Sequence, residues 1–169
     1  MKQVEIICSL SEFENEEELS ADDRRLINEA KLSMNNAYAP YSDFFVGAAI
    51  LLENGTIVRG NNQENASYPI GLCAERVAIF AAGANYPGVK IKSLAVAARS
   101  NRFNVNSPVP PCGACRQAIA EYEHRFDKSI RIIMTGSSGK IIVSESIGNL
   151  LPLQFNSDDL KITGNESGF

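Results

Sequence analysis

Phe44 to Leu52 is apolar at nearly every position, and no other segment of the chain limits the fold as much. A strand of alternating character can leave one face in water, but a strand apolar on both faces must be covered on both. Asn54-Gly55 follows, a pair suited to a two-residue hairpin turn because both of its residues tolerate positive φ. Thr56, Ile57 and Val58 then resume a β pattern. Residues 94–98 and 130–134 repeat the two-sided apolar character. The expected class is therefore α/β, a three-layer α/β/α arrangement with the sheet between helices.

Helical periodicity supplies the covering layers. Ser20 to Asp23 forms a helix start, and Leu26, Ile27, Ala30 and Met34 recur at helical spacing until Pro40, which predicts a first helix over about residues 22–38. Val77, Phe80 and Ala81, and later Ala118, Ile119 and Tyr122, predict crossover helices before the third and fourth strands. Between Met134 and Ile141 stands only Thr135-Gly136-Ser137-Ser138-Gly139-Lys140. That is too short for a helical crossover, so a mixed five-stranded sheet with its last strand antiparallel to the fourth is expected. Residues 1–21 read as an acidic N-terminal extension whose Glu12, Glu14, Glu16, Glu17 and Glu18 suggest a solvated arm. Residues 22–169 read as a single domain, interrupted only by an extended stretch over residues 101–111 that carries Pro108, Pro110 and Pro111.

With 44% hydrophobic and 21% charged residues, the chain has ordinary globular composition. Sixteen Lys and Arg against twenty Asp and Glu give a net charge of -4, which lacks the basic balance that grips a phosphate backbone, so nucleic acid is not an expected partner. No apolar run approaches the roughly 20 residues a membrane helix needs, and the first ten residues mix charge with short apolar runs, unlike a secretory leader. A cytoplasmic location is expected. There the four cysteines, Cys8, Cys73, Cys112 and Cys115, are candidates for metal binding or redox chemistry rather than structural disulfides.

Cys112-Gly113-Ala114-Cys115 opens a predicted helix after Pro111, which puts its thiols one turn apart on one face. Cys73-Ala74-Glu75 opens another. Helix N-termini stabilise thiolates, and three converging thiolates form a tetrahedral zinc site with one place open, as in catalytic centres. Two alternatives stand beside it: a closed site completed by Cys8 or His124, and a redox-active pair at Cys112 and Cys115. Glu75 is favourable in a first helical turn through the dipole alone. Two residues after a ligand cysteine, it can also reach a metal-bound water of pKa about 7 and move its proton.

Cys73-Ala74-Glu75-Arg76 and Pro111-Cys112-Gly113-Ala114-Cys115-Arg116-Gln117 resemble the zinc signature of the cytidine deaminases, in their small homotetrameric, three-cysteine form. Further blocks match the same family: Ala39-Pro40-Tyr41-Ser42-Asp43-Phe44-Phe45-Val46-Gly47-Ala48-Ala49, Asn62-Gln63-Glu64-Asn65-Ala66-Ser67-Tyr68-Pro69, and Leu150-Leu151-Pro152 before Phe155. The resemblance implies a cytidine-deaminase-like fold and one Zn2+ per chain on Cys73, Cys112 and Cys115. It implies hydrolytic deamination of cytidine and deoxycytidine to uridine and deoxyuridine plus ammonia, in pyrimidine salvage. Zinc-bound hydroxide would attack C4 with Glu75 as the proton shuttle. Asn62 and Glu64 would hold the ribose hydroxyls, Phe44 would pack on the base, and the Ala74 amide would donate to the substrate. Arg76 would donate to the ligand sulfurs, offsetting the excess charge of three thiolates. Tyr68 and Phe155 fall where the family places pocket residues shared between subunits, in a homotetramer. The family's usual Leu-Pro-Gly-Ala-Phe appears here as Leu151-Pro152-Leu153-Gln154-Phe155. Two other readings remain at this point: a deaminase of deoxycytidylate or of cytosine in nucleic acid, and a non-catalytic zinc-stabilised module in which Glu75 is dispensable.

Overall fold

The computed structural model describes residues 1–160, so the expected domain end at Phe169 lies outside the described residues. The elements follow as β1 (Ser11–Phe13), α1 (Ala21–Ser33), β2 (Phe44–Leu52), β3 (Ile57–Asn61), α2 (Ala74–Asn85), β4 (Ile91–Ser100), α3 (Gly113–Phe126), β5 (Arg131–Thr135) and β6 (Ile141–Ser144). One sheet runs in the order β1-β6-β5-β4-β2-β3. Only β4 and β5 pair in parallel, joined over the sheet by α3, and β6 returns antiparallel to β5 as the short connection requires.

The two apolar faces of β2 meet two different cores. Ala48, Ile50 and Leu52 join Leu94, Val96, Ile132 and Met134 beneath Ala78, Ile79 and Ala82 of α2 and Ile119 of α3. Ala49 and Leu51 join Ala95, Ala97, Ile133 and Val143 against Leu26, Ile27 and Ala30 of α1. This is the expected α/β/α layering, with one helix on one face and two on the other. At the hairpin, Gly55 adopts φ 84°, and the Asn54 side chain accepts from the Thr56 amide at 3.0 Å. In β3, a Cβ on Gly60 would collide with Ala74 O and Ala78 N, so glycine there lets the first turns of α2 lie directly on the sheet.

The sheet has six strands where five were expected. The sixth is β1, inside the acidic extension, pairing Ser11 with Val143 and Phe13 with Ile141. Lys140 reaches Glu12 and Glu14, Lys31 reaches Glu16, and Leu19 is buried, so the segment lies along the fold while most of its acidic side chains stay exposed. Its partners are distant in sequence and the strand is three residues long, so no local periodicity marks it. The first helix is also shorter than expected. It closes at Ser33 and a single 3-10 turn over Met34–Asn36, because Tyr38 goes into extended pairing: its amide donates to Asn62 O at 3.0 Å and its carbonyl accepts from Glu64 N at 2.8 Å.

Candidate active site

Cys73 and Cys112 are the N-cap residues of α2 and α3, with extended backbone (φ -70° and -66°), and Cys115 lies buried in the first turn of α3. The Cys73 and Cys112 sulfurs are 3.8 Å apart and those of Cys112 and Cys115 3.4 Å, with all three within 4.8 Å of one another. A tetrahedral centre with Zn–S bonds of about 2.3 Å spaces its sulfurs about 3.8 Å apart, so soft donors of the right number and spacing for zinc are already together. Cys8 sits in the exposed N-terminal segment. His124 lies in the last turn of α3, 3.0 Å from the Ser157 hydroxyl. Neither joins the group, which leaves a fourth position free of these two side chains.

The electrostatics follow from this crowding. A hydrogen bond from the Cys115 thiol, helped by Arg76, holds Cys73 down to about 5, while that same bond and burial push Cys115 up. Arg76 Nη2 lies 3.8 Å from Cys73 Sγ and 3.4 Å from Gly71 O, beside one of the three sulfurs. Glu75 is 4% exposed, and burial pushes its carboxyl above the ordinary 4.5.

A cleft of about 700 Å³ joins this centre to the loops that follow α1 and β3. Cys73, Cys112 and Glu75 line one end of it, and Phe44, Asn62, Glu64 and Tyr68 line the rest, so most of the sequence candidates come together in one place. Phe44 is half-buried with Phe103 stacked beside it, ring centres 6.2 Å apart. Asn62 braces the start of β2: its Oδ1 accepts from Val46 N at 2.8 Å and its Nδ2 donates to Phe44 O at 2.9 Å. Glu64 accepts from the Ser42 hydroxyl, from Tyr41 N at 2.9 Å and from Ser42 N at 3.3 Å. Burial works to raise the Glu64 pKa, but these three donors outweigh it and hold the carboxyl below 4.5.

Ala74 is the buried first residue of α2. Tyr68 is 73% exposed, edge-on to Tyr41 at 5.7 Å. Phe155 is 58% exposed and lies outside the cleft, its carbonyl accepting from Gln117 Nε2 at 2.6 Å. Four contributors were missed from sequence. Ser42 orients Glu64, and Arg116 donates to Pro111 O and Leu150 O. Val109 and Pro110, from the proline-rich stretch, line the cleft. The prolines were the available signal for that stretch, since they stiffen an extended wall.

Fold and site together define an α/β/α chain with a three-thiol centre and a buried carboxylate sharing one cleft. A family model described as "Cytidine and deoxycytidylate deaminase zinc-binding region" matches residues 20–130. A cytidine deaminase of Sporosarcina psychrophila is 44% identical over 140 residues, 82% of this chain and 95% of that protein. One from Halalkalibacterium halodurans is 43% identical over 140 residues, 82% of this chain and 98% of that protein. The crystal structure of a cytidine deaminase from Burkholderia pseudomallei superposes with a TM-score of 0.68 at 38% identity, covering 81% of this chain and all of that one. The chain belongs to this cytidine and deoxycytidylate deaminase family. It is accordingly an enzyme, a hydrolytic deaminase of the zinc-binding kind.

Proposed function

We propose that the protein hydrolyses the 4-amino group of free cytidine and deoxycytidine, giving uridine and deoxyuridine plus ammonia, in cytoplasmic pyrimidine salvage. The observation that carries this reading is the placement of Glu75 and Glu64 along a single cleft, one carboxylate buried beside the thiols and the other held by three donors from the loop before β2. Cys73, Cys112 and Cys115 would hold zinc, which would lower the pKa of a water in the open position to about 7. Glu75 takes one proton from the attacking water and passes it to ring N3 as the C4–O bond forms. It then carries the second proton to the departing amine, so that the C4–N bond breaks and ammonia leaves. The Ala74 amide donates to the substrate from the start of α2, and Arg76 moderates the charge of the thiolates through Cys73.

Phe44 packs on the base, while Glu64 and Asn62 receive the ribose hydroxyls. A carboxylate at that end repels a 5′-phosphate, which favours nucleosides over nucleotides. Tyr68 and Phe155, both exposed on one chain, serve pockets shared with neighbouring subunits in a homotetramer. The test is loss of cytidine absorbance with the zinc-loaded protein, with deoxycytidine, deoxycytidylate and a cytosine-containing oligonucleotide run in parallel. Turnover confined to the two nucleosides is expected; turnover of deoxycytidylate or the oligonucleotide instead, or of none, overturns the reading. Sedimentation as a monomer at micromolar concentration would overturn the tetramer.

A further inference from the structure

The guanidinium of Arg116 reaches back over the first turn of α3. Its Nε donates to Pro111 O at 2.8 Å and its Nη1 to Leu150 O at 2.8 Å. Pro111 is buried and immediately precedes Cys112; Leu150 begins the C-terminal segment that carries Phe155. The two N-cap cysteines are thus secured differently. Cys73 has an arginine beside its sulfur, whereas Cys112 is exposed, its side chain caps nothing, and the backbone that delivers it is tied down by Arg116. Cys115 needs no such tie because it is buried within the helix itself.

We propose that Arg116 is a positioning residue for the metal centre, fixing the Pro111–Cys112 backbone through its bond to the Pro111 carbonyl. The inference rests on the zinc reading above. Arginine suits the task because two N–H groups on one rigid plane hold two separate carbonyls, which the single ammonium of lysine cannot do in the same geometry. Losing the clamp leaves the buried Pro111 carbonyl without a donor, at a site where small shifts of Cys112 change the sulfur spacing.

The experiment compares zinc-loaded wild type, Arg116→Gln, Arg116→Lys and Gln117→Ala. Zinc release to a chromogenic chelator and the absorption of the cobalt-substituted thiolate site are measured, and circular dichroism reports folding. Arg116→Gln should release zinc about 10- to 100-fold faster, the range typical for losing a residue that orients a metal ligand, with an altered cobalt spectrum. Arg116→Lys should fall between it and wild type. Gln117→Ala, which loosens the segment at Phe155 without touching Pro111, should release zinc at the wild-type rate. Wild-type release from folded Arg116→Gln, or equally fast release from Gln117→Ala, overturns the proposal. If Arg116→Gln does not fold, Arg116→Lys decides it on the same rates. A wild-type protein that holds no zinc overturns the zinc reading and this inference together; zinc held equally by all four overturns the inference alone.

Discussion

The thiol end of the cleft is set by two helix N-termini, whereas the Glu64 end is set by hydrogen bonds between two loops. At the first end, α2 lies directly on β3 through Gly60, and Cys115 and Glu75 are buried. At the second, Tyr41 and Ser42 are exposed and Glu64 is oriented by its donors rather than by packing. Bond-making chemistry needs fixed geometry and low exposure to water, and rigid elements supply both. Recognition of sugar hydroxyls tolerates a more open arrangement, provided that the acceptor is oriented beforehand. Substitutions at the first end should therefore act on turnover, and those at the second on affinity.

The largest effect is expected at Cys115. Cys115→Ala should leave the protein without stoichiometric zinc and bring turnover to background, as read by metal analysis and the absorbance assay. Next comes Glu75→Gln, which keeps the shape of the buried carboxyl but cannot shuttle protons. Its kcat should fall by about 10²- to 10⁴-fold with zinc still bound. Near wild-type turnover in that variant would remove the distinction between the two ends. Smaller again is Glu64→Gln, for which the KM for cytidine should rise by about 10-fold or more while kcat moves little, the loss expected for a charge-assisted hydrogen bond. A fall in kcat as large as that of Glu75→Gln would show that both ends act on chemistry.

The same division explains what was legible in the sequence. Cys73-Ala74-Glu75 and Cys112-Gly113-Ala114-Cys115 announce themselves because helix geometry turns short spacings into shared faces, and the three thiols that the structure gathers were all singled out by their spacing. The α/β/α layering was legible for a similar reason, since the two-sided apolar run of β2 demands cover on both faces. Ser42 and Arg116 lie inside the matched blocks, yet their roles depend on side chains bonded to residues 22 and 34 positions away, which no local pattern encodes. The β1 strand escaped for the same reason: its pairing with β6 and the Lys140–Glu12 ion pair join residues about 130 positions apart.

The smallest effect, and the sharpest probe of the open end, is in pH. Above 4.5 Glu64 is ionised in the folded protein, because its donors hold the carboxyl below that value. The sign follows: a lowered carboxyl pKa means that the ionised acceptor is present above 4.5 and is lost only as pH falls through the folded value. The part of uridine affinity that depends on Glu64, read by calorimetry as the difference in Kd between wild type and Glu64→Gln, should therefore persist as pH falls from neutral toward the ordinary carboxylate range. Burial works in the opposite direction, and among the opposing bonds the Ser42 hydroxyl contributes most. Ser42→Ala should thus raise KM by a few-fold at neutral pH and start the acid rise in Kd at a higher pH than in the wild type. An unchanged onset in Ser42→Ala would mean that packing rather than these hydrogen bonds holds Glu64, and the contrast between the two ends would then be one of exposure alone.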